Sequence, residues 1–463
     1  MANLMQVPDW LPTIESGTSV KYTSIVDAIT KAVESGSLPE GARLPPHREL
    51  AGLLGVTVAT VTKAITDLNR KGLLASRRGS GTFVRSPNAN RSTSEDAAGP
   101  KDLAVNRPAV GPVAHALAQA LNEVRLECGS ELLFGYEPAG GSVLHRRAGS
   151  LWLAGRGIEA TDDHILVTPG ANDGLLAALA TVTRPGATVL CEAVNYAGLR
   201  RIAHLLGLSL VGVPIDVKGM IPAALADACK QHRPHAVICT PVTHNPTGAS
   251  LDAERRRELA NVVRREKIVL IEDDINGHLG ATEPETLFSL APEQTIYVTS
   301  MSKCLSAGLR VGFMTASPGM MAGLRDSLYS TNWTAPSLHA AIASRLIVTG
   351  MAEQCVADQR QEAAARMALV HTYLGKHAVS DGPSYHAWIE LDRSIRPEEL
   401  CVQLLKAGIM VSPAHHFAVP GSPVPNAIRI GLGGVEARVE LEDCLRVVGS
   451  YLAPQTRMLG AIA

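Results

Sequence analysis

Between residues 22 and 35 the apolar side chains Ile25, Ile29 and Val33 recur every fourth position, the spacing of one helix face, and Gly36 ends the run. After the turn Leu38-Pro-Glu-Gly41 and the extended Arg43-Leu-Pro-Pro46, Pro46 starts a second helix that runs over His47–Leu54. It turns Leu50, Leu53 and Leu54 inward and stops at Gly55. Thr57 then caps a third helix with Val61, Ala64, Ile65 and Leu68 as its buried stripe, stopped by Gly72. Two helices joined by a tight glycine turn predict a helix-turn-helix. Two short β runs around Arg77-Arg-Gly-Ser-Gly81 predict a hairpin wing after it.

The pattern changes twice more. Residues 86–100 hold short polar and small side chains between prolines and no large apolar one, which reads as a flexible tether. From about residue 102, short β-branched runs (from His164, Ala187, Leu208, Ala236, Ile268 and Thr295) alternate with helical stretches such as 171–183 and 253–265. That order predicts an α/β fold, a mainly parallel sheet with ligands at its strand ends.

Bulk properties narrow the class. A chain of 463 residues exceeds one ordinary domain, and no apolar run is long enough to span a bilayer. The N-terminus lacks the basic-then-apolar layout of a signal peptide, so a cytoplasmic location is expected, with no membrane partner. The eight cysteines are scattered without a Cys-x-x-Cys pair, and His415-His416 is the one adjacent histidine pair; no metal site is expected. A net charge of −1 hides a basic segment, since residues 20–85 carry ten Lys/Arg against five Asp/Glu. Such an excess suits a phosphate-binding module.

The candidate chemistry sits at the strand ends. Thr168-Pro-Gly-Ala-Asn172 leads into a helix whose N-terminal amides suit a phosphate. Asn245-Pro-Thr-Gly248 and Glu272-Asp-Asp274 follow the next strands, and Ser300-Met-Ser-Lys303 comes last, with Arg310 seven positions on. A lysine in a hydroxyl-rich turn with a guanidinium behind it is what pyridoxal phosphate requires. The amine forms a Schiff base with the aldehyde, and Ser300, Ser302 and Arg310 bind the phosphate.

The N-terminal segment resembles the winged helix of GntR-type regulators, on Arg-Leu-Pro-x-x-Arg-Glu-Leu-Ala (43–51), Gly-Val-Thr-x-x-Thr-Val (55–61) and Gly-Ser-Gly-Thr-Phe-Val (79–84). The resemblance implies double-stranded operator DNA as partner, met by Arg43, Arg48, Thr57, Thr60, Arg78 and Gly79. Where such proteins usually carry an arginine after the cap, this chain has Val58, which can contact a thymine methyl but cannot read guanine.

Residues 102–450 resemble fold type I pyridoxal-phosphate aminotransferases. The resemblance implies Lys303 as the Schiff-base lysine, Asp273 as partner of the pyridine nitrogen (with Asp274 the competing assignment), Asn245 as donor to the phenolic oxygen and Tyr196 as the stacked aromatic. It makes Ala171, Asn172, Ser300, Ser302 and Arg310 the phosphate cup, and Arg429 the partner of a substrate carboxylate. Tyr136 would be lent by the neighbouring subunit, which implies a homodimer. Asn276 stands where the family usually has a tyrosine bonding the phenolic oxygen.

Together the two resemble MocR-type bacterial regulators. The expected layout is a DNA-binding domain at 1–85, a linker at 86–101 and a cofactor-binding domain at 102–463, its larger part near 150–335 and its smaller part from 102–149 and 336–463. An amino compound, or the vitamer itself, would be sensed at Lys303 without any need for turnover. The alternative is a working aminotransferase with a vestigial DNA-binding domain.

Overall fold

The three N-terminal helices form as α1 (Tyr22–Glu34), α2 (His47–Leu54) and α3 (Val58–Arg70) in a computed structural model of the chain. The structure describes residues 22–34, 37–38, 42–70, 73–77, 81–84, 99–127, 129, 135–280, 285–379 and 382–453. It divides into two units, Met1–Gly99 and Pro100–Ala463.

In the first unit Ile25, Ile29, Leu50, Leu54, Val61, Ala64, Ile65 and Leu68 close one apolar core. Val33 and Leu53 are half-buried at its edge. Pro46 sits at the cap of α2 rather than inside it, because its extended backbone (ψ 146°) is not helical. Gly55 then takes the left-handed conformation (φ 63°) that ends α2, and α3 leaves at a bend of 113°. The Thr57 hydroxyl accepts the Thr60 N–H at 3.2 Å, the expected cap. β1 (Leu74–Arg77) and β2 (Gly81–Val84) pair antiparallel and bury Leu74 and Val84 against the helices. Arg78, Gly79 and residues 86–98 lie outside the described residues.

The second unit opens with a two-residue strand β3 (Lys101–Asp102). Helices α4 (Ala114–Glu127) and α5 (Val143–Ala154) precede a seven-stranded sheet. Its strands are β4 (Leu166–Thr168), β5 (Thr188–Glu192), β6 (Ser209–Val213), β7 (Ala236–Cys239), β8 (Val269–Asp273), β9 (Thr295–Ser300) and β10 (Gly312–Thr315), in the order β4-β10-β9-β8-β7-β5-β6. Neighbours from β6 through β9 are parallel, while β10 runs antiparallel to both β9 and β4. Helices α6 (Ala171–Val182) and α7 (Ala197–Leu205) follow β4 and β5.

The remainder carries α8 (Ser337–Val348) and α9 (Met351–Leu374), then β11 (His386–Glu390), β12 (Ile409–Met410), β13 (Ser412–Pro413) and β14 (Ala427–Gly431). β11, β14 and β13 form a small antiparallel sheet, and β12 pairs with β3. The division expected inside this unit shifts. Val124 of α4, Trp152 and Leu153 of α5 and Ala343 of α8 share a core with Ile165, Val167 and Phe313 of the large sheet. Those helices therefore pack with the large sheet. From the stretch 102–149 Leu103 joins the core around β11 and β14 instead.

Candidate cofactor pocket and DNA-binding surface

The carboxyl ends of β4, β8 and β9 open on one cavity of about 480 Å³, a volume suited to a small molecule. β9 ends in a turn that places Ser302 and Lys303 on its wall, and β8 delivers Asp273. Gly170 adopts φ 101° at the start of α6, where a Cβ would stand 3.1 Å from Arg310, so the guanidinium packs against bare backbone. Ala171 and Asn172, in the first turn of α6, line the same wall. Helix-terminal N–H groups, Ser302 and Arg310 thus form an anion-binding end.

Asp273 marks the other end. It is buried, and its Oδ1 has no hydrogen-bond partner. Burial first, then the charges of Glu192 and Asp274, push its carboxyl up to about 7, although Lys303 pulls the other way. A carboxylate so placed favours a cationic partner. Asp274 faces away from the cavity: its Oδ2 accepts Arg156 Nε at 2.8 Å and the Tyr297 hydroxyl at 2.7 Å. Of the two neighbours, Asp273 lines the cavity and Asp274 does not, as alternation along the strand end requires.

Lys303 lies between these ends. Burial, then Arg429, lowers its amine to about 8, with Asp273 opposing, and Nζ donates to the Asn106 carbonyl. Tyr196 caps α7 and lines the cavity; its ring folds back over Gly198, where any Cβ would collide with it. Asn245 also lines the cavity, and its Oδ1 accepts Arg429 Nη1 at 3.0 Å. Arg429 is buried behind Asn245, stacks on Phe417 at 4.7 Å and keeps an unpartnered Nε.

Three expected residues have surroundings that the sequence left open. Ser300 is fully buried and does not line the cavity; its hydroxyl accepts the Ser302 N–H at 3.1 Å and so acts through Ser302. The Asn276 amide nitrogen donates to the Thr243 carbonyl at 2.8 Å, so that nitrogen is committed although the residue lines the cavity. Tyr136 lies outside the cavity and is 96% exposed, beside Trp333 at 5.8 Å. Sequence reasoning missed Asn106, Thr240 and Arg201, which line the cavity. None stands in a motif; only the packing of distant segments brings them there.

An aldehyde-bearing, phosphorylated pyridine fits this donor set. The amides of α6 with Arg310 match the phosphate, the orphaned Asp273 oxygen matches a protonated ring nitrogen, and Lys303 matches the aldehyde. On the first unit, Arg43, Arg48 and Thr57 are exposed and Thr60 is half-buried; Arg43 bridges to Phe83 of β2, Arg48 stands in the first turn of α2, and Thr57 and Thr60 at the start of α3. The Thr57 and Thr60 hydroxyls lie 2.9 Å apart, and Val58 between them is 43% exposed.

A family model for aminotransferase class I and II matches residues 101–441, and one for the gntR family of bacterial regulatory proteins matches residues 21–84. The chain is similar to the HTH-type transcriptional regulator YdeF of Bacillus subtilis, 29% identical with 96% of each chain covered. It is 28% identical to the HTH-type pyridoxine biosynthesis transcriptional regulator PdxR of Corynebacterium glutamicum, over 92% of this chain and 94% of that one. Among solved structures, LysN, the alpha-aminoadipate aminotransferase of Thermus thermophilus, superposes with a TM-score of 0.69 at 24% identity. The superposition covers 76% of this chain and 92% of LysN.

Proposed function

The chain belongs to the aminotransferase class I and II family, and from that premise we propose that it is a transcriptional regulator whose pyridoxal-phosphate pocket governs DNA binding by its winged helix. One observation carries the reading: a single 463-residue chain joins a gntR-family module to a pocket lined by both Lys303 and Asp273, whose Oδ1 has no hydrogen-bond partner. The HTH-type names of YdeF and PdxR support it, and the pyridoxine in the second supports a vitamer as a natural ligand.

When bound, pyridoxal phosphate supplies a carbonyl carbon for an amine and a ring that accepts electrons. This chain's residues hold and poise it. Lys303 provides the amine, Asp273 the charge opposite the ring nitrogen, and α6 with Ser302 and Arg310 the phosphate seat. Arg429 offers a guanidinium to an effector carboxylate, a bidentate match. The exposure of Tyr136 supports a homodimer in which that side chain serves the neighbouring subunit's pocket. Such a protein works where the DNA is, in the bacterial cytoplasm.

The effector must favour one of two conformers, since equal affinity for both would shift nothing. The deciding experiment is an electrophoretic mobility shift on the DNA preceding the chain's own coding sequence, with and without pyridoxal phosphate and amino acids. Specific binding that changes with these ligands is expected; turnover without specific DNA binding would mean a working aminotransferase instead.

Two further outcomes are expected. Arg48→Ala should weaken DNA binding at a cost of about 1–3 kcal/mol if it reads a base, with the cofactor spectrum unchanged; titrating DNA against both proteins checks it. Capture of pyridoxal phosphate should speed up as pH rises through about 8 and then level off, because the Lys303 ammonium must lose its proton to attack. Stopped-flow absorbance against pH measures this, and a midpoint near the ordinary lysine value would contradict the buried setting.

A further inference from the structure

Six residues directly after the linker touch both ligand-reading groups of the pocket. The Asn106 carbonyl accepts Lys303 Nζ, and the Ala104 carbonyl accepts Arg429 Nη2. Lys303 and Arg429 come from the turn after β9 and from β14, and they meet on one short stretch of backbone. That stretch begins beside the boundary between the two units, at Gly99 and Pro100. Anything that draws Lys303 and Arg429 toward a ligand draws them off these two carbonyls.

The stretch is seated in an unusual way. Gly431, Gly433 and Gly434 form a side-chain-free track beneath it, and a Cβ on any of them would collide with the carbonyls of Val105, Arg107 and Asp102 respectively. Gly431 N–H donates to the Leu103 carbonyl at 2.6 Å, and Arg107 Nε to the Gly433 carbonyl at 3.0 Å. Apart from Leu103, whose side chain joins the core around β11 and β14, backbone lies on backbone there without the side-chain interdigitation that makes packed cores resist sliding. A further side-chain latch crosses the contact. Asn106 Nδ2 lies 3.0 Å from His386 Nδ1, and His386 Nε2 lies 3.1 Å from the His244 carbonyl, next to Asn245. Burial, then Arg429, lowers His386 to about 3, so the ring is neutral, with Nε2 the donor and Nδ1 the acceptor.

We propose that Asp102–Arg107 is the transmitting element of the pocket, held in the ligand-free state by Lys303, Arg429 and the Asn106–His386 latch and released toward the linker when a ligand engages the two cations. The proposal rests on the regulator reading. It makes Asn106 and His386 positioning residues, and it gives the signal a covalent path out of the pocket.

Hydrogen–deuterium exchange on the full chain tests it, with pyridoxal phosphate and acetate together as probe. The Lys303 amine takes the cofactor aldehyde carbon as water leaves, and the acetate carboxylate suits Arg429. The Ala104 and Val105 amides, both donating to Asp102 Oδ1, and the Gly431 amide report the segment. Their exchange should rise at least about tenfold with the probe, corresponding to about 1.4 kcal/mol of lost protection, while β8 stays constant. Asn106→Ala should show the raised exchange without the probe and shift the same DNA fragment identically with and without it. The variant is mild, because Ser384 Oγ at 3.3 Å can serve the vacated His386 nitrogen. Unchanged wild-type exchange, with absorbance showing the cofactor bound to Lys303 and DNA binding still responding, overturns the segment's role and leaves the regulator reading standing. Raised exchange with no DNA response in the wild type overturns both.

Discussion

Arg156→Met is expected to destabilise the C-terminal unit by about 3–5 kcal/mol. Arg156 and Asp274 meet at 2.8 Å with almost no solvent around either side chain. Removing the guanidinium leaves Asp274 buried beside Glu272, whose carboxyl is already pushed up to about 7 by burial and then by the Asp274 charge. Tyr297 can supply one hydrogen bond but no charge. Equilibrium urea unfolding of the variant measures the loss. The double variant Arg156→Met with Asp274→Leu should recover part of it, because an apolar pair leaves no charge unpaired, while the Tyr297 hydroxyl loses its acceptor. A single variant as stable as the wild type would mean that the pair contributes nothing.

Lys303→Ala is expected to abolish the long-wavelength absorbance of lysine-bound pyridoxal phosphate while the fold survives. The amine is the one primary amine on the cavity wall, and no other lysine is among the lining residues to replace it. Losing it also removes a buried charge whose amine burial has lowered to about 8, so stability should be kept or raised. Spectra after dialysis against pyridoxal phosphate, together with circular dichroism, check both halves. A persistent band would assign the attachment to another residue. Asp273, Arg310 and the α6 amides remain in this variant, so weak noncovalent retention of the cofactor is expected.

Much of this architecture was legible along the chain because it is local. The periods of Ile25/Ile29 and of Val61/Ala64/Ile65/Leu68 named the helices, Thr57 its cap, and the β-branched runs the strands, since spacing alone decides which side chains share a face. β10 escaped notice. Gly312-Phe-Met-Thr315 follows Arg310 too closely to look like a separate strand, and its antiparallel pairing with β9 is a matter of chain reversal, not of composition.

The site divides the same way. Lys303, Asp273, Arg310 and the start of α6 are each announced by a short motif at a strand end, where an α/β sheet must present its ligands. By itself, then, the sequence determined the two-part organisation, the candidate lysine with the neighbours that share its cavity, and the chemistry they suit. What only the tertiary structure decided are relations between segments far apart in sequence. Asp274 points to Arg156 while Asp273 keeps a free oxygen for the cavity. Ser300 withdraws behind Ser302, and Asn276 is committed to the Thr243 carbonyl. Asn106 arrives beneath Lys303 from nearly two hundred residues away, on a track of glycines that no local pattern marks as a track. The physical reason is the same in each case: local propensity and periodicity fix which face a side chain takes, but which partner waits on that face depends on how the chain returns.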